Sequence, residues 1–127
     1  MKWDHCGIRS ADLERSLRFY TDVLGLRLLE VVTVLGQPFY FVGNDTVRIE
    51  IEQGNTKDRT VPSEQTPGLY HLAFEVDDLE AVAARLREAG AEFLLPPSQF
   101  REDRKIAFVL DPDGVFIQII QYLHRPS

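Results

Sequence analysis

The sequence predicts an α+β fold made of two tandem βαβββ modules, and three observations carry that reading. A polar turn feeding an alternating strand occurs twice, 68 positions apart, at residues 42–53 and 110–121. Upstream, Trp3-Asp4-His5-Cys6-Gly7-Ile8 leads to Asp12-Leu13-Glu14, and 66 positions later Leu69-Tyr70-His71-Leu72-Ala73-Phe74 leads to Asp78-Leu79-Glu80. Between these landmarks each copy carries one helical stripe closed by a glycine and then further β-type runs. A period this long, present only twice, points to two fused half-domains rather than a solenoid array. The modules are expected at about 2–53 and 69–123, joined by a linker at about 54–68, in a single domain over 1–127. Each helix should cover the apolar face of its sheet, leaving the mixed faces to curl into a cup with the helices outside.

Residues 3 to 9 alternate weakly and predict a strand, with His5, Gly7 and Arg9 on one face and Cys6 and Ile8 on the other. Ser10 or Asp12 can cap the helix that follows, in which Leu13, Leu17, Tyr20 and Leu24 form one stripe. Gly25 stands where a glycine ends a helix. Residues 28–34, 39–42 and 47–52 predict three strands, separated by Gly36-Gln37-Pro38 and by Gly43-Asn44-Asp45-Thr46. Residues 53–68 are polar, carry Pro62 and Pro67 and have no periodicity, so they predict a linker that could serve as a lid. In the second copy a strand over 69–76 precedes a helix opened by Asp77, with Glu80 at capping-box spacing and Leu79, Val82 and Leu86 facing inward. Gly90 closes it. A run over 92–95, a Pro96-Pro97 loop, and strands over 105–110 and 115–122 flanking the Asp111-Pro112-Asp113-Gly114 turn complete the copy.

The bulk composition narrows the function. With 127 residues, 44% hydrophobic and 27% charged, the chain is long enough to bury a core without staples. No apolar run approaches a membrane span, and Met1-Lys2-Trp3-Asp4 begins no signal-peptide stretch, so a cytoplasmic location without a membrane partner is expected. A net charge of −6 without a basic run argues against nucleic acid, which needs a concentrated positive footprint. Arg101, Arg104 and Lys105 form one local basic cluster, best explained as a solvated loop. The single Cys6 cannot form an internal disulfide and is expected to be a small buried hydrophobe.

Four positions stand out because the repeat matches them. Glu50 and Gln118 each lie four residues past their turn, between isoleucines, and His5 and His71 lie in the first strand of each copy. A lone strand histidine is more often a hydrogen-bonded core residue, and no short-range ligand motif is present. Polar residues at equivalent places on otherwise apolar strands are harder to explain by packing. Two imidazoles, a carboxylate and an amide meeting in one cup would suit a divalent ion such as zinc, nickel, cobalt, manganese or iron.

From Trp3 to Tyr122 the chain resembles the vicinal oxygen chelate superfamily, which includes glyoxalase I, methylmalonyl-CoA epimerase, extradiol dioxygenases, fosfomycin-resistance enzymes and bleomycin-binding proteins. The match rests on His5, on Phe19-Tyr20-Thr21-Asp22-Val23-Leu24-Gly25-Leu26, on residues 71–79 and on Ala107-Phe108-Val109-Leu110-Asp111-Pro112-Asp113-Gly114. The resemblance implies metal ligands at His5, Glu50, His71 and Gln118. It also implies that Arg9 holds a carboxylate of a glutathione-like substrate, where the residue alone reads equally as a solvated strand end. Gln118 departs from the glutamate usual there. Because an amide cannot take a proton near neutral pH, Glu50 is the catalytic base this site can offer, and an ion so held keeps a positive charge that would favour an enediolate.

The resemblance therefore implies a metal-dependent glyoxalase I-like lyase or isomerase acting on a bidentate small molecule such as a hemithioacetal, possessing the thiol conjugate as partner and forming a homodimer. A poor match at Gly54 and Asn55 to the glutathione-contacting segment allows a different cosubstrate. Two alternatives come from other classes: an extradiol-type non-haem iron dioxygenase, which Gln118 disfavours, and a non-catalytic drug-binding protein, which would not need both histidines. An epimerase would need a second acid/base group. Glu52, Tyr122 and His124 are minor candidates for the site.

Overall fold

The computed structural model describes residues 3–54, 67 and 69–123, and it has the α+β architecture expected of two βαβββ modules. The chain divides into two compact units, residues 1–59 and 60–127. In the first, β1 (Cys6–Ser10), α1 (Leu13–Arg18), β2 (Arg27–Val34), β3 (Gln37–Gly43) and β4 (Arg48–Gln53) follow in order. In the second come β5 (His71–Glu75), α2 (Leu79–Glu88), β6 (Phe93–Phe100), β7 (Arg104–Leu110) and β8 (Phe116–Tyr122). The sheets run β1-β4-β3-β2 and β5-β8-β7-β6, each with one parallel pair, β1 with β4 and β5 with β8. No helix among the described residues is long and apolar enough to cross a membrane. Most of the linker expected at 54–68, with its lid role, lies outside the described residues, as does His124.

Each sheet buries one face against its helix, as the alternation requires. Val42, Ile49 and Ile51 are at most 3% exposed in the first unit, and Ile117, Ile119, Ala107 and Val109 are fully buried in the second. Each such branched side chain contributes about 1.5–3 kcal/mol when taken from water. At six residues α1 is too short to persist alone, so this packing sustains it.

Local differences from the expected elements have physical causes. Asp12 caps α1, its carboxylate accepting from the Arg15 N–H at 3.1 Å. The cap of α2 is Asp78 rather than Asp77: Asp78 has the extended backbone of a cap and accepts from the Ala81 N–H at 3.1 Å. Beyond α1 the helix widens into a π-turn over Phe19–Val23, in which the Leu24 N–H donates to the Phe19 carbonyl at 3.0 Å. That shift of phase breaks the expected stripe: Tyr20 is fully buried, but Phe19 and Ser16 join it while Leu13, Leu17 and Leu24 stay half-buried. Pro96 and Pro97 fall inside β6 instead of a loop. They are tolerated because β6 is an edge strand whose register shifts between Leu95 and Ser98.

The two matched turns use the same device. Asn44 accepts from the N–H groups of Thr46 and Val47, both at 2.9 Å, and buried Asp111 accepts from those of Asp113 and Val115, both at 2.8 Å. Matched glutamines then tie each following strand to the start of its helix: Gln53 donates to the Ala11 carbonyl at 2.9 Å, and Gln121 accepts from the Leu79 N–H at 2.9 Å. These ties fix where Glu50 and Gln118 stand.

Candidate metal-binding half-sites

Strand register sets the site residues. Glu50 lies opposite Gly7 on one side and Phe41 on the other, so His5, two positions before Gly7, projects from the same face. Gln118 lies likewise between Ala73 and Phe108, with His71 two positions before Ala73. The two units thus place a histidine and an amide or carboxylate at equivalent points of equivalent sheets.

In the first unit the pair is in reach. His5 Nε2 is 3.4 Å from Glu50 Oε2, and the other ring nitrogen, Nδ1, is 2.6 Å from Asp4 Oδ2. The other Glu50 oxygen lies over Gly7, where a Cβ would sit 3.7 Å from Oε1. The imidazole stands edge-on to Phe41, with centroids 5.4 Å apart. The Arg48 guanidinium covers the Phe41 ring at 4.2 Å and pairs with Glu30. The hydrogen bond with His5 holds the Asp4 carboxyl below the usual carboxylate range, aided by the charge of Arg48.

In the second unit His71 stands edge-on to Phe108 at the same 5.4 Å and to Tyr70 at 4.4 Å. Its Nδ1 is buried and has no hydrogen-bond partner among the described residues. A buried imidazole nitrogen left unpaired costs about 1–3 kcal/mol, a penalty that a bound cation or water removes. Gln118 is half-buried on the same face.

Neither Phe41 nor Phe108 is a site candidate by sequence. Both oppose the matched Glu50 and Gln118 in the neighbouring strand and both wall a histidine, a relation that only register reveals.

These donors suit a divalent ion of borderline hardness: imidazole nitrogen and carboxylate or amide oxygen, with no thiolate beside them. Cys6, half-buried, has its side chain on the other face of β1, and burial raises its thiol pKa. Each unit brings two candidate ligands, and no three His, Cys, Asp or Glu side chains are placed to hold a metal ion among the described residues. Arg9 lies directly across from Glu52 on the face of His5 and Glu50, and its Nε donates to Glu52 Oε1 at 2.9 Å. That ion pair occupies Glu52, the alternative to Glu50. Tyr122 is engaged elsewhere, under the Arg104 guanidinium at 4.8 Å. Arg104 itself pairs with Asp103 at 3.0 Å, so the basic cluster is partly neutralised.

A family model described as the Glyoxalase/Bleomycin resistance protein/Dioxygenase superfamily matches residues 2–119. A probable lactoylglutathione lyase from Synechocystis is 32% identical, with 92% of each chain covered. The lactoylglutathione lyase of Haemophilus influenzae is 33% identical over 92% of this chain and 90% of its own length. Among solved structures, a glyoxalase family protein from Bacillus cereus superposes with a TM-score of 0.84 at 19% identity, covering 97% of this chain and 95% of the other. The trypanothione-dependent glyoxalase I of Leishmania major superposes with a TM-score of 0.72 at 26% identity, covering 92% and 84%.

Proposed function

The chain belongs to the glyoxalase/bleomycin resistance protein/dioxygenase superfamily, and on that premise we propose that it is a metal-dependent glyoxalase I-like lyase acting on a hemithioacetal or similar thiol conjugate. The observation that carries the reading is the matched pair of half-sites, His5 with Glu50 and His71 with Gln118, each on the equivalent strands of its own module. Relatives about one-third identical and named lactoylglutathione lyase support the substrate class.

In this reading His5, Glu50, His71 and Gln118 hold one divalent ion, zinc, nickel, cobalt, manganese or iron. The ion, when bound, would polarise adjacent substrate oxygens and stabilise the negative charge that develops on them. Glu50 is the base that moves a proton between neighbouring carbons, because its pseudo-symmetric mate Gln118 has no basic oxygen. Arg9 would bind a substrate carboxylate by exchanging its present pairing with Glu52. Phe41 and Phe108 stiffen the imidazoles by packing against them. The family resemblance supports a homodimer, and an acidic chain with one cysteine suits a reducing, cytoplasmic setting.

The test is a comparison of substrates on the metal-loaded protein. Isomerisation of the hemithioacetal of methylglyoxal and glutathione, abolished by Glu50→Ala, is expected, without oxygen uptake on catechols. Oxygen consumption on catechols without isomerisation would instead support the dioxygenase alternative. Tight binding of an organic ligand without turnover of either substrate would support a sequestering protein.

A further inference from the structure

The two histidines, equivalent by register, are not equivalent in what backs them. The residue before His5 is Asp4, whereas the residue before His71 is Tyr70. Asp4 Oδ2 lies 2.6 Å from His5 Nδ1, while Tyr70 offers His71 a ring edge at 4.4 Å, and His71 Nδ1 is buried without a partner among the described residues. An ionised carboxylate only accepts hydrogen bonds, so a neutral His5 imidazole in this contact carries its proton on Nδ1. The lone pair is then on Nε2, the nitrogen 3.4 Å from Glu50 Oε2.

We propose that Asp4 is a positioning residue that holds His5 as its Nδ1–H tautomer and presents the Nε2 lone pair beside Glu50. The inference rests on the reading of His5 as a metal ligand and adds to it an unequal division of labour. A carboxylate behind a ligating histidine fixes the ring and raises the donor strength of the opposite nitrogen. His5, so backed, is the stronger donor and His71 the weaker. Two neighbours restrain the arrangement: Phe41 walls the ring, and Arg48 lies over Phe41. Because Asp4 is 82% exposed and precedes β1, its replacement leaves the core intact.

The test uses the full chain labelled with nitrogen-15. In the metal-free protein, above the imidazole titration, two-bond proton–nitrogen correlations report which His5 nitrogen carries the proton. The wild type is expected as the Nδ1–H form. Asp4→Ala should shift it towards the Nε2–H form, and Asp4→Asn, whose amide oxygen still accepts, should restore the first. Zinc affinity measured by chelator competition should fall by about tenfold in Asp4→Ala and less in Asp4→Asn. An Nε2–H tautomer in the wild type would overturn the proposal. So would unchanged tautomer and zinc affinity in Asp4→Ala alongside loss of zinc in His5→Ala. Zinc binding that His5→Ala leaves untouched would instead overturn the ligand assignment, while the metal-free spectra still decide the tautomer.

Discussion

Glu50 and Gln118 hold the same place in the two modules, yet only Glu50 can take a proton. Replacing Glu50 by Gln is therefore expected to lower kcat by about 100-fold or more, since a positioned base is worth two to four orders of magnitude. Single-turnover assays on metal-loaded protein check this. Arg9, an exposed side chain of β1 paired with Glu52 at 2.9 Å, should act on binding rather than chemistry. Arg9→Ala is expected to raise KM by about tenfold while leaving kcat within about twofold, the pattern of an interaction made equally in ground and transition states. Cys6 gives a third expectation. Burial raises its pKa, so the folded chain holds less thiolate at a given alkaline pH than an exposed thiol would. Its alkylation, followed by mass spectrometry, should be slower in the native than in the unfolded protein. By linkage, the preference for the neutral thiol supports the fold below the ordinary thiol pKa and is lost as pH rises through the raised value.

Among the elements, caps and turns carry the sharpest expectations. Asp78→Ala should cost about 1 kcal/mol in denaturant unfolding, whereas Asp77→Ala should be near neutral, because only Asp78 accepts from the first turn of α2. Gly43→Ala should be far worse, since a Cβ there would lie 1.8 Å from the Val47 carbonyl oxygen and the turn could not close. The cap of α2 was legible in principle, because Asp78 stands 66 positions after Asp12, the cap of α1; local capping-box spacing pointed one residue too early. The π-turn at Phe19–Val23 was not legible, because a change of helical phase leaves the residue types unchanged and is settled by burial of Phe19 and Tyr20. Pro96 and Pro97 read as a loop for a sound local reason, and only their place on an edge strand reverses it. The repeat matches His5 with His71 and Glu50 with Gln118 from sequence alone, whereas the walls that Phe41 and Phe108 form depend on the neighbouring antiparallel strand.

For the whole chain, the proposed function rests on two half-sites that resemble each other in place and differ in charge. One carries a carboxylate and a carboxylate-backed histidine, the other an amide and a histidine whose buried nitrogen has no partner among the described residues. In the proposed function, a divalent ion would account for the match between them. The most direct measurement is elemental analysis after chelator stripping and reloading, on the wild type beside Glu50→Ala and His71→Ala. About one divalent ion per chain is expected in the wild type, with binding lost or much weakened in both variants, because each removes a proposed ligand from a different module. No ion in the wild type, or equal binding in all three proteins, would contradict the chelate site and leave the paired histidines as packing residues.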